Sequence, residues 1–174
     1  YRGISEYFDP GGILLADPPT GLVARRINAT TVELDFAVAE GADAHRVYVA
    51  VGGQRFDGGT AYGQPPVRIE NLNPETPVAF RLHSINVAGE GWGSRIVTAR
   101  PSARPAQVLV IDSFDREDGW VQTQDNRKDT LLHHGLALWN SPHAFDSADE
   151  AAVVAGRVNL QDYEALVFSF GRES

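Results

Sequence analysis

The stretch 71–100, NLNPETPVAFRLHSINVAGEGWGSRIVTAR, constrains the first two thirds of this chain more than any other. Val78, Phe80 and Leu82 recur at a period of two with Ala79, Arg81 and His83 between them, which predicts a strand with one core face and one wet face. In Asn86-Val-Ala-Gly-Glu-Gly, Gly89 and Gly91 accept positive φ without a Cβ clash, and an extended run resumes at Ile96 and Thr98. The spacing therefore predicts a hairpin with Trp92 at its tip. Just before it, Leu72-Asn-Pro-Glu-Thr predicts a turn in which Pro74 fixes φ and Leu72 plugs the end of a sandwich.

Residues 22–27, 30–36 and 45–51 alternate apolar side chains, among them Val32, Leu34, Phe36, Val47 and Val49, and read as three more strands. Val67 and Ile69 mark a short one, while Glu40-Gly-Ala-Asp, Gly52-Gly53 and Gly58-Gly59 mark turns and a loop. Short strands at this spacing predict a two-sheet Greek-key sandwich over residues 17–101. Leu72-x-Pro74-x-Thr76, Phe80-Arg81-Leu82, Asn86 and Gly89 also follow the spacing of the last two strands of a fibronectin type III domain, and the chain resembles that family here. Val78 stands where the family's corner tyrosine is expected, and Phe36 where its strand B tryptophan is. The resemblance thus implies a sandwich held by packing, without the corner hydroxyl bond.

After a second linker at 102–105 the period changes. Gln107-Val-Leu-Val-Ile is a continuous apolar run, the pattern of a strand buried on both faces in a parallel sheet. Leu131, Leu132, Leu136 and Trp139 recur at helical spacing, residues 144–146 are extended, residues 150–155 read as a helix, and residues 163–170 give another buried strand. Strand, helix, strand, helix, strand predicts a doubly wound unit of order 2-1-3, with Trp120 and Trp139 covering its sheet. The expected fold class is mainly β plus α/β. A helical remnant and linker (1–16) precede the fibronectin type III sandwich (17–101) and the N-terminal part of an α/β three-layer domain (105–174). The third strand would leave Val167, Phe168 and Phe170 on an apolar edge, so the native protein is expected to continue past Ser174 or to meet a partner there.

The motifs Val108-Leu-Val-Ile-Asp-Ser-Phe-Asp-Arg116, His134-Gly135-x-Ala137, Ala144-Phe-Asp-Ser-Ala148 and Gly171-Arg-Glu-Ser174 resemble the opening of an α/β domain related to flavodoxin-like and class I glutamine-amidotransferase folds. That domain follows fibronectin type III modules in secreted bacterial amidases and in golvesin- and xanthan-lyase-like proteins. Arg172 departs from the Gly-Glu-Glu-Ser that relatives carry. Tyr1-x-Gly-Ile-x-x-Tyr-Phe8 resembles the last helix of zinc-dependent N-acetylmuramoyl-L-alanine amidases, which implies zinc ligands upstream of Tyr1 and no cofactor in this chain.

Fifteen basic against 23 acidic residues, a formal charge of −8, argue against nucleic acid and anionic lipid as partners. No apolar run approaches the ~20 residues of a membrane span. Without cysteine there is neither a disulfide framework nor a thiolate nucleophile. With no methionine and no leader, the chain reads as an excerpt of a longer protein.

In an open parallel sheet, ligands sit beyond the carboxyl ends of the strands at the switch point. Asp112, Ser113, Asp115 and Arg116 follow the first strand; Arg172, Glu173 and Ser174 follow the third. Two readings stand side by side. In one, these loops form a pocket for a sugar or peptide, with Arg116 pairing a carboxylate and Asp112 or Glu173 accepting hydroxyls. In the other, Asp112 caps a turn and Arg116 pairs Asp115 or Glu117. Trp92 either stacks on a sugar ring beside Arg81 or Arg95, or packs on a neighbouring strand. His133 and His134 are adjacent, not at the i, i+4 spacing that chelates zinc, and read as surface or satisfied core residues. The resemblances together imply a non-catalytic accessory and spacer region of a secreted, periplasmic or cell-surface bacterial hydrolase of the peptidoglycan amidase type. The partners implied are a cell-wall glycan or peptide, or another extracellular protein. A binding or structural module of an extracellular assembly, or an accessory segment of a polysaccharide lyase, are the alternatives.

Overall fold

The computed structural model describes residue 12 and residues 14–114 and 129–170 of the chain. The helix expected over residues 1–8 and the side chains of Asp115, Arg116, Trp120 and Glu173 lie outside the described residues. Alternation along the first part of the chain forms β1 (Thr20–Asn28), β2 (Thr31–Ala37), β3 (Ala44–Val51), β4 (Thr60–Tyr62), β5 (Val67–Ile69), β6 (Val78–Asn86), β7 (Gly89–Gly93) and β8 (Val97–Ala99). β1, β2 and β5 pair antiparallel in one sheet, and β4, β3, β6 and β7 follow one another in the second, where β8 also pairs β6. Leu22, Leu34 and Phe36 of the first sheet meet Val47, Phe80 and Leu82 of the second in one buried core. The expected β-sandwich is present, with the inward residues of β2 and β6 those that the period of two picks out.

Three expectations are corrected in detail. β4 is a strand that follows the expected Gly58-Gly59 loop and was not among the expected strands: three residues with no apolar alternation leave no periodic signal, and the strand exists through its pairing with β3. The hairpin turns at Val87 and Ala88, so Trp92 lies along β7 and not at the tip, and the return strand is broken between Gly93 and Val97. There the Ser94 hydroxyl accepts from the Leu82 amide at 3.0 Å in place of a strand carbonyl. Nor is the far face of β6 wet throughout, because Ala79 is buried with Ala50, Ile96, Phe56 and Leu132.

The second part forms β9 (Val108–Asp112), α1 (Thr130–Ala137), β10 (Phe145–Asp149), α2 (Glu150–Val154), a 3₁₀ turn (Leu160–Asp162) and β11 (Ala165–Ser169). β9 pairs in parallel with β10 on one side and β11 on the other, the expected 2-1-3 order. These strands do not form a separate sheet. The free edge of β10 pairs antiparallel with β1, giving one mixed sheet in the order β11-β9-β10-β1-β2-β5.

That seam is narrow, with only Val23↔Ala148 and Ala24↔Ser147 in register. Side chains extend it. Asp149 Oδ2 accepts from the Leu22 amide at 3.0 Å and Asp146 Oδ1 from the Arg26 amide at 2.7 Å, one at either end of the two-residue ladder. Ser147 Oγ accepts from the Thr98 amide of β8 at 2.7 Å, and the Arg100 amide donates to the Phe145 carbonyl at 3.0 Å. Packing is continuous across the seam: Val108, Val110 and Phe145 share the sandwich core, while on the other face Val23 is buried with Leu109, Ile111, Ala148 and Ala152 of α2.

The stretch read as a second linker is anchored. Ser102 is buried, its hydroxyl donates to Glu75 Oε1 at 2.6 Å, and its carbonyl accepts from Arg26 Nη1 at 3.3 Å. Trp139 does not cover the parallel strands as expected. α1 packs on β8, where Gly135 sits close enough to Thr98 that a Cβ would lie 3.0 Å from its hydroxyl, and this carries Trp139 onto Gly52 in the turn after β3. Phe36 and Phe80 are both fully buried between the sheets. Replacing either by alanine should lower the unfolding free energy by about 3–5 kcal/mol in a denaturant titration, whereas a neutral result would mean that the strand faces are inverted.

Candidate functional site

The carboxyl ends of β9, β10 and β11 place Asp112, Asp149 and Ser169 side by side, since Asp112 is in register with both of the others. Asp112 has no exposed side-chain surface; its Oδ2 receives Arg95 Nη1 at 3.1 Å, and its Oδ1 accepts from the Phe114 amide at 3.2 Å. Arg95 comes from the break between β7 and β8, so the sandwich itself delivers the cation to the end of the first parallel strand. Asp149 caps α2 by accepting from the Ala152 amide at 2.8 Å while its other oxygen holds Leu22. Burial pushes the Asp149 carboxyl above the usual carboxylate range, against the pull of those two amides.

Ser169 is buried, and its hydroxyl lies 2.9 Å from His134 Nε2, which α1 presents. A serine bonded to an imidazole is the first half of a nucleophile and base. Catalysis would also require amide donors free to meet a developing oxyanion. Here the Ser113 amide is spent on the Ser169 carbonyl at 2.9 Å and the Phe114 amide on Asp112. Among the described residues no three His, Asp or Glu side chains converge as metal ligands would.

Of the residues singled out from sequence, Asp112 is at the switch point as expected, in the capping role of the second reading and paired with Arg95. Asp115, Arg116 and Glu173 lie outside the described residues. Trp92 is 66% exposed on β7, which does not match the reading that packs it on a neighbouring strand. The guanidinium of Arg81 lies over the Phe56 ring at 5.4 Å. His134 is half-buried and bonded to Ser169. Arg95 and Ser169 were not read as members of this cluster. For Ser169 a signal existed, because aligning the two apolar runs 108–111 and 165–168 puts the following residues, Asp112 and Ser169, abreast.

A second buried polar group sits at the seam. Asp146 Oδ2 accepts from the Tyr163 hydroxyl at 3.0 Å, and Arg25 and Arg26 face it from β1. Burial outweighs these partners and raises the Asp146 carboxyl to about 6. His45, packed edge-on against Phe36 with centroids 4.7 Å apart, shifts the other way, its pKa lowered by burial.

No family model matches the chain, and no curated protein matches it. Among solved structures it is similar to FN3tt (TM-score 0.47, 19% identity, covering 53% of this chain and 100% of that one). It is also similar to the third fibronectin III domain of human KIAA0343 protein (TM-score 0.45, 15% identity, 55% of this chain and 90% of that one). The fibronectin domains FN1–FN3 of chicken CNTN1 match with a TM-score of 0.46 and 14% identity over 50% of this chain; the match spans 32% of that structure.

Two measurements follow from this geometry. Asp112→Asn removes a charge-assisted contact from a buried side chain and should cost about 1.5–3 kcal/mol of stability; no loss would mean that the Arg95 pair is not structural. For Asp146, the folded carboxyl holds its proton up to about pH 6 whereas the unfolded chain releases it near pH 4. Its contribution is therefore full below about pH 4 and is lost as pH rises through about 6. Subtracting the Asp146→Asn stability profile from that of the parent chain should isolate this slope, because the opposing His45 term cancels. A flat difference would show the carboxyl to be unperturbed.

Proposed function

We propose that this region is a non-catalytic, rigid accessory and spacer unit of a secreted bacterial cell-envelope hydrolase of the N-acetylmuramoyl-L-alanine amidase type, acting at the cell surface or in the periplasm. In this reading β9, β10 and β11 open an α/β domain of flavodoxin-like or glutamine-amidotransferase-like kind. Any zinc belongs to an upstream catalytic domain. The amidase assignment rests on the motif resemblances at residues 1–8 and 108–174.

One observation carries the rigid part of the reading: the polar groups of Asp146-Ser147-Ala148-Asp149 bond the main chain of β1 and β8, joining sandwich and parallel strands into one sheet. A flexible tether would leave such groups to solvent. Asp112 is likewise bonded internally, to Arg95 and to the Phe114 amide, which supports a structural role for this carboxylate. A second reading, contact with a glycan, is favoured by the exposure of Trp92, a large apolar ring open to stacking.

Incubation of the chain with purified peptidoglycan should release no stem peptide, and hydrolysis by the chain alone would refute the non-catalytic assignment. In the same samples, co-sedimentation separates the two readings. Binding lost in Trp92→Ala supports the glycan contact, and absence of binding supports a spacer without one.

A further inference from the structure

We infer that the sandwich carries a clamp for the polypeptide entering it: residues 14–16 form a strap across the β6–β7 hairpin, and the hairpin sets the direction in which the chain reaches β1. This rests on the rigid-spacer reading and adds how such a spacer would hold its upstream side. Asn86 Nδ2 donates to the Leu14 carbonyl at 2.8 Å. A Cβ on Gly89 would stand 3.4 Å from the Leu15 side chain, and one on Gly91 would run into the Ala16 carbonyl oxygen. Ala16 and Pro19 are buried, although the composition of residues 16–19, Ala-Asp-Pro-Pro, is that of a solvated linker.

The two glycines serve different needs. Gly89 has φ +131°, a conformation that side chains rarely adopt, so the turn alone accounts for it. Gly91 is not among the residues with positive φ, so its backbone would accept alanine. What excludes a side chain at Gly91 is the strap lying on it. Asn86 couples turn and strap through one carboxamide: its Oδ1 accepts from the Ala88 amide at 2.9 Å and fixes the turn, while its Nδ2 holds Leu14. Asn86 thus touches both, and the two contacts are separable because different atoms of its side chain make them.

The chain has no cysteine, so a nitroxide on Leu14→Cys, a half-exposed position, reports the strap without background. The parent spectrum should be that of an immobilised label. Asn86→Asp keeps the acceptor that the turn needs and removes the donor to Leu14; it should increase label mobility several-fold, as should Gly91→Ala. A label on Val87→Cys, at the exposed turn, should keep its spectrum in Asn86→Asp if the hairpin is intact. A freely tumbling label at Leu14 in the parent chain, or an immobilised one that neither variant loosens, overturns the clamp. Either result leaves the peptidoglycan experiment unaffected, so failure of the clamp and failure of the amidase-associated reading are told apart.

Discussion

Two carboxylates decide the shape of this molecule. A ladder of two residue pairs is too short to dock one set of strands on another, and the amides on either side of it, those of the buried Leu22 and the part-buried Arg26, would be left without partners. Asp149 and Asp146 accept them. Each carboxylate loses solvation in doing so, which is why both titrate above the usual range. With the seam made, the inner faces of β9 and β10 join the sandwich core and the outer faces join Val23 under α2. Without it, apolar surface on both sides would be open to water.

The same residues show how far the chain could be read from sequence. Strand faces were legible wherever burial is one-sided, as in Val32, Leu34 and Phe36 or Val78, Phe80 and Leu82, because the pleat turns burial into a period of two. The run 108–111 was legible as a strand covered on both faces, and three such segments with helical connections imply their order. Pairing of β1 with β10 was not legible. Periodicity reports which face is buried and nothing about which distant edge supplies the hydrogen bonds. The polar side chains that make the seam resemble surface residues in composition. Asp146, Ser147 and Ala148 were visible as part of a family motif, and Asp146 as part of a short extended piece, with no indication that their β1 partners lie more than a hundred residues upstream.

The candidate site divides in the same way. Asp112 ends β9 at the carboxyl edge of the parallel strands, where the rule for such sheets looks for a site, and it accepts from the Phe114 amide as an aspartate at a turn does. Its partner Arg95 comes from the broken return strand, and that break depends on Ser94 bonding Leu82, an interaction without a sequence signature. Trp139 was misplaced for a related reason. Helical spacing identifies an apolar face on α1, yet the surface that receives it is shared: Leu131 joins Val108 and Val110 in the core, while Gly135 lies on Thr98 and Trp139 on the Gly52 turn of the sandwich.

The joined sheet also imposes an order on synthesis. The Leu22 amide and its acceptor Asp149 are 127 residues apart, so β1 keeps an unpaired edge and an uncovered Val23 until nearly the whole described chain exists. At translation rates of roughly 5–20 residues per second, that interval is on the order of ten seconds. Contacts this distant in sequence also form slowly once the chain is complete. During that time the β1 edge is a template for foreign strands. Such a chain gains from being kept unfolded until release, and from closing its sheet in one late step.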